Sequence, residues 1–313
     1  MATEASARQP EGSLTAARAG SSARPHRVPL RSRLGGVIFI LPGVAWLAFF
    51  FIVPLFIILA VSFATRDATG HVTFANPTFD NYARATRPEY VSALWNSLRY
   101  AAITTVLSIV IGYPIAYWIS RYGGSRKNLL LVLVMLPFWT SYLIRTYAWM
   151  IILRDTGVLN SVLQAVGIGD PDNPFALLNT DFSVILGMTY GFLPFAILPL
   201  YVSIDRLDPN LVQAGRDLYA NGREAFLHVT LPLTMPGIVA AALLTFIPAI
   251  GDYVTPDLLG GAQTTTIAKV VQVIFTSGRD WPSGSALGFL LMVVTLAGTL
   301  AALRWVRRET LGA

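Results

Sequence analysis

Arg99, Arg145 and Asp252 raise the first chemical question in this 313-residue sequence, because each interrupts a long apolar run. A charge in such a run is costly unless it meets a partner or water. Asp252 follows Pro248 and Gly251, a pair that interrupts a helix and frees backbone groups to line a cavity. Two readings stand side by side. In the first, Asp252 pairs with Arg145 or Arg99 and ties helices together. In the second, it faces a water-lined path and attracts a cationic solute, with Trp139, Tyr142 or Tyr253 offering ring faces for cation–π contact. Aromatic residues at the ends of apolar runs also suit an interfacial belt.

Nothing else has the spacing of a reaction centre. Cysteine is absent, which excludes thiol catalysis, disulfides and cysteine metal sites. His26, His71 and His228 are too scattered for a metal site. The only lysines, Lys127 and Lys269, are followed by Asn128 and Val270, so no Gly-x-x-x-x-Gly-Lys-[Ser/Thr] phosphate cradle exists. No serine sits in Gly-x-Ser-x-Gly.

The elements that must position the three charges are membrane spans. Hydrophobic residues make up 54% of the chain and charged residues 13%, with a mean hydropathy of +0.57. Soluble domains carry about 25% charged residues. About 20 residues at 1.5 Å rise cross a bilayer core. Six stretches qualify: Leu34–Ser62, Trp95–Ser120, Leu129–Leu153, Ser183–Ile204, Leu233–Pro256 and Gly284–Val306. The expected fold is an all-α polytopic membrane protein, with a membrane domain over residues 34–313. Residues 1–33, rich in Ala, Arg, Ser and Pro, read as a disordered tail. The run that follows is too long for a signal h-region of roughly 7–15 residues and reads as a retained first span.

The basic residues give the orientation. Arg8, Arg18, Arg24, Arg27, Arg31, Arg33, Arg121, Arg126, Lys127, Arg206, Arg216, Arg223, Arg307 and Arg308 fall on the side of the termini. Arg66, Arg84, Arg87, Lys269 and Arg279 face the other side, with Arg154 at the membrane edge. The imbalance places both termini in the cytoplasm. It also accounts for the net charge of +6 without nucleic acid.

Residues 205–232 form a polar connection between the fourth and fifth spans. Asp208 is placed to cap a helix starting at Pro209, where the missing N–H costs nothing. Leu211, Ala214, Gly215 and Leu218 recur on one face. Asn221-Gly222 reads as a left-handed stop, and a second short helix runs from Arg223 towards Val229 before Pro232. Ala214 and Gly215 are small enough to admit another surface. The helix pair suits either a docking element or an interfacial link between spans.

This loop resembles the EAA motif of ABC importer permeases, Glu-Ala-Ala-x-x-x-Gly followed by Ile-x-Leu-Pro. The spacing runs here from Gln213 through Tyr219 to Val229-Thr230-Leu231-Pro232. Gln213 stands for Glu, Gly215 for the second Ala and Tyr219 for Gly; Ala214, Arg216, Asp217, Phe226, Leu231 and Pro232 fit, and Gly222 offers an alternative turn. Leu136-Pro137-Phe138-Trp139-Thr140-Ser141 and Phe246-Ile247-Pro248-Ala249-Ile250-Gly251-Asp252-Tyr253-Val254-Thr255-Pro256 resemble the spermidine/putrescine branch. The likeness reaches across about residues 90–305.

The resemblance implies a type I importer bundle in the bacterial cytoplasmic membrane that moves a polyamine-like solute. It implies a loop that couples to separate ABC ATPase subunits, which bind ATP and Mg, so this chain needs no cofactor. A second, paralogous permease chain and an external solute-binding protein are the other implied partners. The alternatives are a self-contained, ion-gradient-driven transporter or channel, and a membrane-embedded enzyme or scaffold. No internal repeat supports an inverted-repeat transporter.

Overall fold

The computed structural model describes residues 30–67, 70–168, 170, 173–218, 221–262 and 264–311. Among the described residues, fourteen α-helices follow one another: α1 (Leu30–Ser62), α2 (Asp80–Ala85), α3 (Pro88–Tyr122), α4 (Lys127–Met135), α5 (Tyr142–Ile152), α6 (Val158–Ala165), α7 (Asp181–Asp205), α8 (Pro209–Leu218), α9 (Gly222–Ala225), α10 (Leu231–Leu233), α11 (Met235–Ile250), α12 (Val254–Leu259), α13 (Ile267–Thr276) and α14 (Trp281–Leu311). Two-residue strands β1 (Thr65–Arg66) and β2 (Val72–Thr73) form a small antiparallel ribbon. Of the tail expected over residues 1–33, residues 1–29 lie outside the described residues; Leu30–Arg33 already belong to α1.

The chain divides into two compact units, Met1–Pro54 and Leu55–Ala313. In the first, the described part of α1 is an apolar helix in which the Trp46 and Phe50 rings lie 4.5 Å apart. In the second, α3, α7 and α11 pack pairwise into a central three-helix core. Helices in lipid gain little from apolar burial against one another, so they associate through small residues that let backbones approach. α3 buries Ala93, Ser97, Ala101, Thr104, Thr105, Ser108, Gly112 and Ala116 at helical spacing. A Cβ on Gly112 would come within 3.2 Å of Ile197 on α7, so this glycine sets the helix separation. α7 begins with a capping box between Thr180 and Ser183.

Among the described residues, four single helices are long and apolar enough to cross a membrane: Ile40–Ser62 within α1, α3, α7 and Trp281–Ala301 within α14. Two bent pairs bring the total to six if each counts as one span. The expected third span is broken by 84° between a 3-10 turn at Leu136–Trp139 and α5. Pro137 lies in that turn, and its carbonyl, bent away from the helical ladder, accepts from Thr140 Oγ1 at 2.7 Å and Arg145 Nη1 at 2.9 Å.

The second bend, 63°, falls at Thr234 between Pro232 and Pro236. The expected helix over Leu233–Pro256 is also corrected at its far end. It stops at Ile250, turns through Gly251–Tyr253 and restarts as α12. Pro248 and Pro256 each remove a backbone donor there, and Asp252 supplies new acceptors.

α12 sits on α7. A Cβ on Gly187 would come within 2.5 Å of Leu259 and 2.9 Å of Thr255. The Leu259 carbonyl accepts from Ser183 Oγ at 2.7 Å and Asn179 N at 2.9 Å. The following strap is tied to α3, where Ser97 Oγ accepts from Ile267 N at 2.9 Å.

Candidate functional site

The functional residues expected from sequence fall at opposite ends of the core. At one end, α7 runs into the polar connection. Asp208 Oδ1 accepts from Asn210 N at 2.9 Å, and Pro209 opens α8 as its first residue. α8 is amphipathic: Gly215 is buried while Gln213, Ala214, Arg216 and Asp217 are exposed. Tyr219 lies outside the described residues.

Two local expectations change. Asn221 does not end α8 in the left-handed region; with φ −128° and ψ 153° it starts α9, its Oδ1 accepting from Glu224 N at 2.8 Å. Gly222 is then the exposed first residue of α9. Gly215 does not open towards an outside surface. A Cβ there would meet Val229 Cγ2 at 2.7 Å, so the glycine lets the two halves of the loop close on each other. Ala214 is the small residue that remains exposed.

The loop then couples into the core. Phe226–Thr230 form a π-turn whose last bond runs from Leu231 N to the Phe226 carbonyl. Pro232 cannot donate, and its ring disfavours an ordinary helical turn before it. The turn delivers Phe226 edge-on to Tyr113 (5.7 Å) and near-perpendicular to Tyr117 (6.3 Å), both on α3. Phe226 and Leu231 join a cluster with Tyr113, Ala116, Ala196, Ile197, Leu200, Ile204 and Ala241, drawn from α3, α7 and α11. Tyr113 Oη and Thr234 Oγ1 lie 2.8 Å apart, beside the second bend. Asp205 closes the same end of α7, accepting from Lys127 Nζ at 2.6 Å and Ser120 Oγ at 3.1 Å.

At the opposite end, neither ion pair expected for Asp252 forms. Asp252 is 9% exposed. Its Oδ1 accepts from Val254 N at 3.0 Å and Thr255 N at 3.3 Å, and its Oδ2 from Tyr142 Oη at 2.5 Å. Tyr142 Oη also lies 2.6 Å from Thr255 Oγ1. The restart of α12 thus presents two orphan N–H groups to the carboxylate and makes an arginine unnecessary.

Arg99 pairs instead with Asp181, which also accepts from Tyr100 Oη at 2.5 Å. Arg145 has no ion-pair partner among the described residues. Its guanidinium lies 5.2 Å from the ring centres of Phe138 and Tyr142 and 5.8 Å from that of Tyr190. Trp139 and Tyr253 are both exposed, Trp139 at 77%.

Sequence reasoning missed Val229, Tyr113 and Tyr190 as partners, and Phe138 as a ring beside Arg145. Phe138 lies in the quoted Leu-Pro-Phe-Trp stretch; for Tyr190, on α7, no local signal was present. No group of His, Cys, Asp and Glu among the described residues is arranged to hold a metal.

Comparison with known proteins adds a family. Residues 108–309 match the model described as "Binding-protein-dependent transport system inner membrane component". A spermidine/putrescine transport system permease protein, PotB, of Haemophilus influenzae is 44% identical over 250 residues, covering 80% of this chain and 86% of that protein. The PotB of Escherichia coli is 41% identical over 251 residues, covering 80% and 90%. A bacterial ABC transporter chain involved in importing the acidic polysaccharide alginate superposes with a TM-score of 0.68 at 17% identity, covering 89% of this chain and 97% of that one. That likeness speaks for the fold alone.

Proposed function

The chain belongs to the family of binding-protein-dependent transport system inner membrane components, and from that premise we propose that it carries a polyamine through an ATP-driven importer. It is a multi-pass inner-membrane transport subunit and not an enzyme. Membership sets aside the gradient-driven transporter and the embedded enzyme. One observation carries the choice of solute: the 41–44% identity, over 80% of the chain, to permeases named for spermidine and putrescine.

In the reading we favour, residues 205–232 seat on an ABC ATPase subunit that binds ATP and Mg. A second, paralogous permease completes the pore, and an external binding protein delivers the solute. Support for the binding protein comes from the family itself, described as a binding-protein-dependent transport system component. The basic residues on the loop side support a cytoplasmic placement of both termini.

When the ATPase dimer closes, its pull on α8 and α9 passes through Phe226 and Leu231 into α3, α7 and α11. The helix breaks at Thr140–Ser141 and Gly251–Tyr253 are where the opposite end yields. Coupling then rests on nucleotide binding favouring one arrangement of these helices over the other.

The test is reconstitution with the partner chains in liposomes. ATP-dependent uptake of labelled spermidine or putrescine, lost when residues 208–230 are replaced by a Gly/Ser linker, is the expected result. ATP-dependent uptake of another solute with no polyamine movement would overturn the solute assignment. Polyamine uptake that survives loop replacement would overturn the coupling assignment.

A further inference from the structure

We propose that Phe138, Tyr142 and Tyr190 form a cation site, occupied in this structure by the protein's own Arg145, which an organic cation of the cargo enters by displacing that guanidinium. The proposal rests on the polyamine reading for the identity of the cargo and on geometry for the site itself.

Three ring centres lie within 6 Å of the Arg145 guanidinium carbon: Phe138 and Tyr142 at 5.2 Å and Tyr190 at 5.8 Å. One ring beside an arginine is commonplace; three from three separate elements make a cage. Phe138 comes from the 3-10 turn before the 84° break, Tyr142 from α5 after it, and Tyr190 from α7. The rings are themselves braced: Phe195 lies edge-on to Phe138 at 5.0 Å, and Trp149 to Tyr190 at 5.4 Å. Such a cage binds guanidinium and ammonium alike, because the attraction is between a positive charge and the ring quadrupole.

A carboxylate adjoins the cage through a shared residue. The Tyr142 ring faces Arg145 while its hydroxyl donates to Asp252. Yet Asp252 and Arg145 are not paired, and among the described residues the one hydrogen bond made by the Arg145 side chain is to the Pro137 carbonyl at 2.9 Å. An arginine held by rings and one carbonyl is more easily displaced than one locked to a carboxylate. A cargo cation in its place meets the same three rings with Asp252 behind Tyr142.

Arg145→Gln tests the idea, since glutamine retains a donor for Pro137 and removes the charge. Melting of the assembled importer is followed in lipid nanodiscs with millimolar methylguanidinium, and with N-methylurea as the uncharged control. Methylguanidinium should raise the midpoint of the variant and leave the wild type unchanged, with N-methylurea inert towards both. Equal responses from variant and wild type would overturn the proposal.

In uptake, the half-saturating spermidine concentration of the variant should fall roughly three- to tenfold, the span of one to a few cation–π contacts. An unchanged or higher value would also overturn it. Arg145→Met is the second variant, with the same expected responses; failure of both to assemble would make Arg145 a structural strut and sink the idea. Should the wild type carry no spermidine at all, the polyamine reading fails, and the methylguanidinium arm still decides the cage.

Discussion

The two ends of the core are built from different interactions. At the loop end, aromatic and aliphatic side chains interlock: Phe226 against Tyr113 and Tyr117, Gly215 against Val229, Leu231 into the α3–α7–α11 cluster. At the Asp252 end, broken helices are held by side chains bonding to backbone and hydroxyls: Asp252 to two N–H groups and Tyr142, Arg145 to one carbonyl and three rings. Close packing transmits displacement because it has few alternative arrangements. A polar network around unwound backbone exchanges partners at smaller cost. Under the proposed function, the difference teaches a division of labour in which the packed end would act as a lever and the polar end would rearrange.

Substitutions can break or sharpen this contrast. The largest effect is expected from Phe226→Ala, which removes the contact between loop and α3. Fully buried Phe→Ala changes cost about 3–5 kcal/mol, and the half-buried Phe226 should lose about 2–3. ATP hydrolysis by the assembled complex should persist while uptake stops. Uptake at the wild-type rate would mean that force does not pass through Phe226.

Gly215→Ala comes next. The added Cβ overlaps Val229, and overpacking costs about 1–3 kcal/mol. Val229→Ala in the same chain should restore uptake, and a double-mutant cycle measures the coupling. Tyr142→Phe deletes one bond to a buried carboxylate, worth about 1.5–3 kcal/mol. It keeps the ring, so the melting midpoint should fall while ATPase retention stays normal. The smallest change belongs to Asp181→Asn. Its pair with Arg99 is half exposed, with side-chain exposures of 50% and 40%, and asparagine keeps an oxygen to accept from Tyr100, so less than about 1 kcal/mol is expected. That loss should shrink further in high salt.

Much of the architecture was legible in the sequence because bilayer spans announce themselves by length and apolarity. Even so, composition could not say that two of the six would be bent, since both bends depend on where displaced carbonyls find donors. Asp208-Pro209 was readable because a cap acts over two residues. Asn221 was misjudged because the same residue type serves a helix end and a helix start, and only backbone angles distinguish them. The expectation of an Asp252–arginine pair weighed charge but not the N–H groups freed when α12 restarts. Tyr142, which does bind Asp252, is 110 positions away, and no local pattern records that distance.

The division of labour is tested most directly by spin-label distances in the assembled importer, which is convenient because the chain has no native cysteine. One label pair spans loop and core, at Asp217→Cys and Trp118→Cys; another spans the 84° break, at Val132→Cys and Ile151→Cys. All four side chains are exposed. Between nucleotide-free and ATP-bound states, the first distance should stay fixed and the second should change. A shift between loop and α3 with the break unmoved would contradict the account.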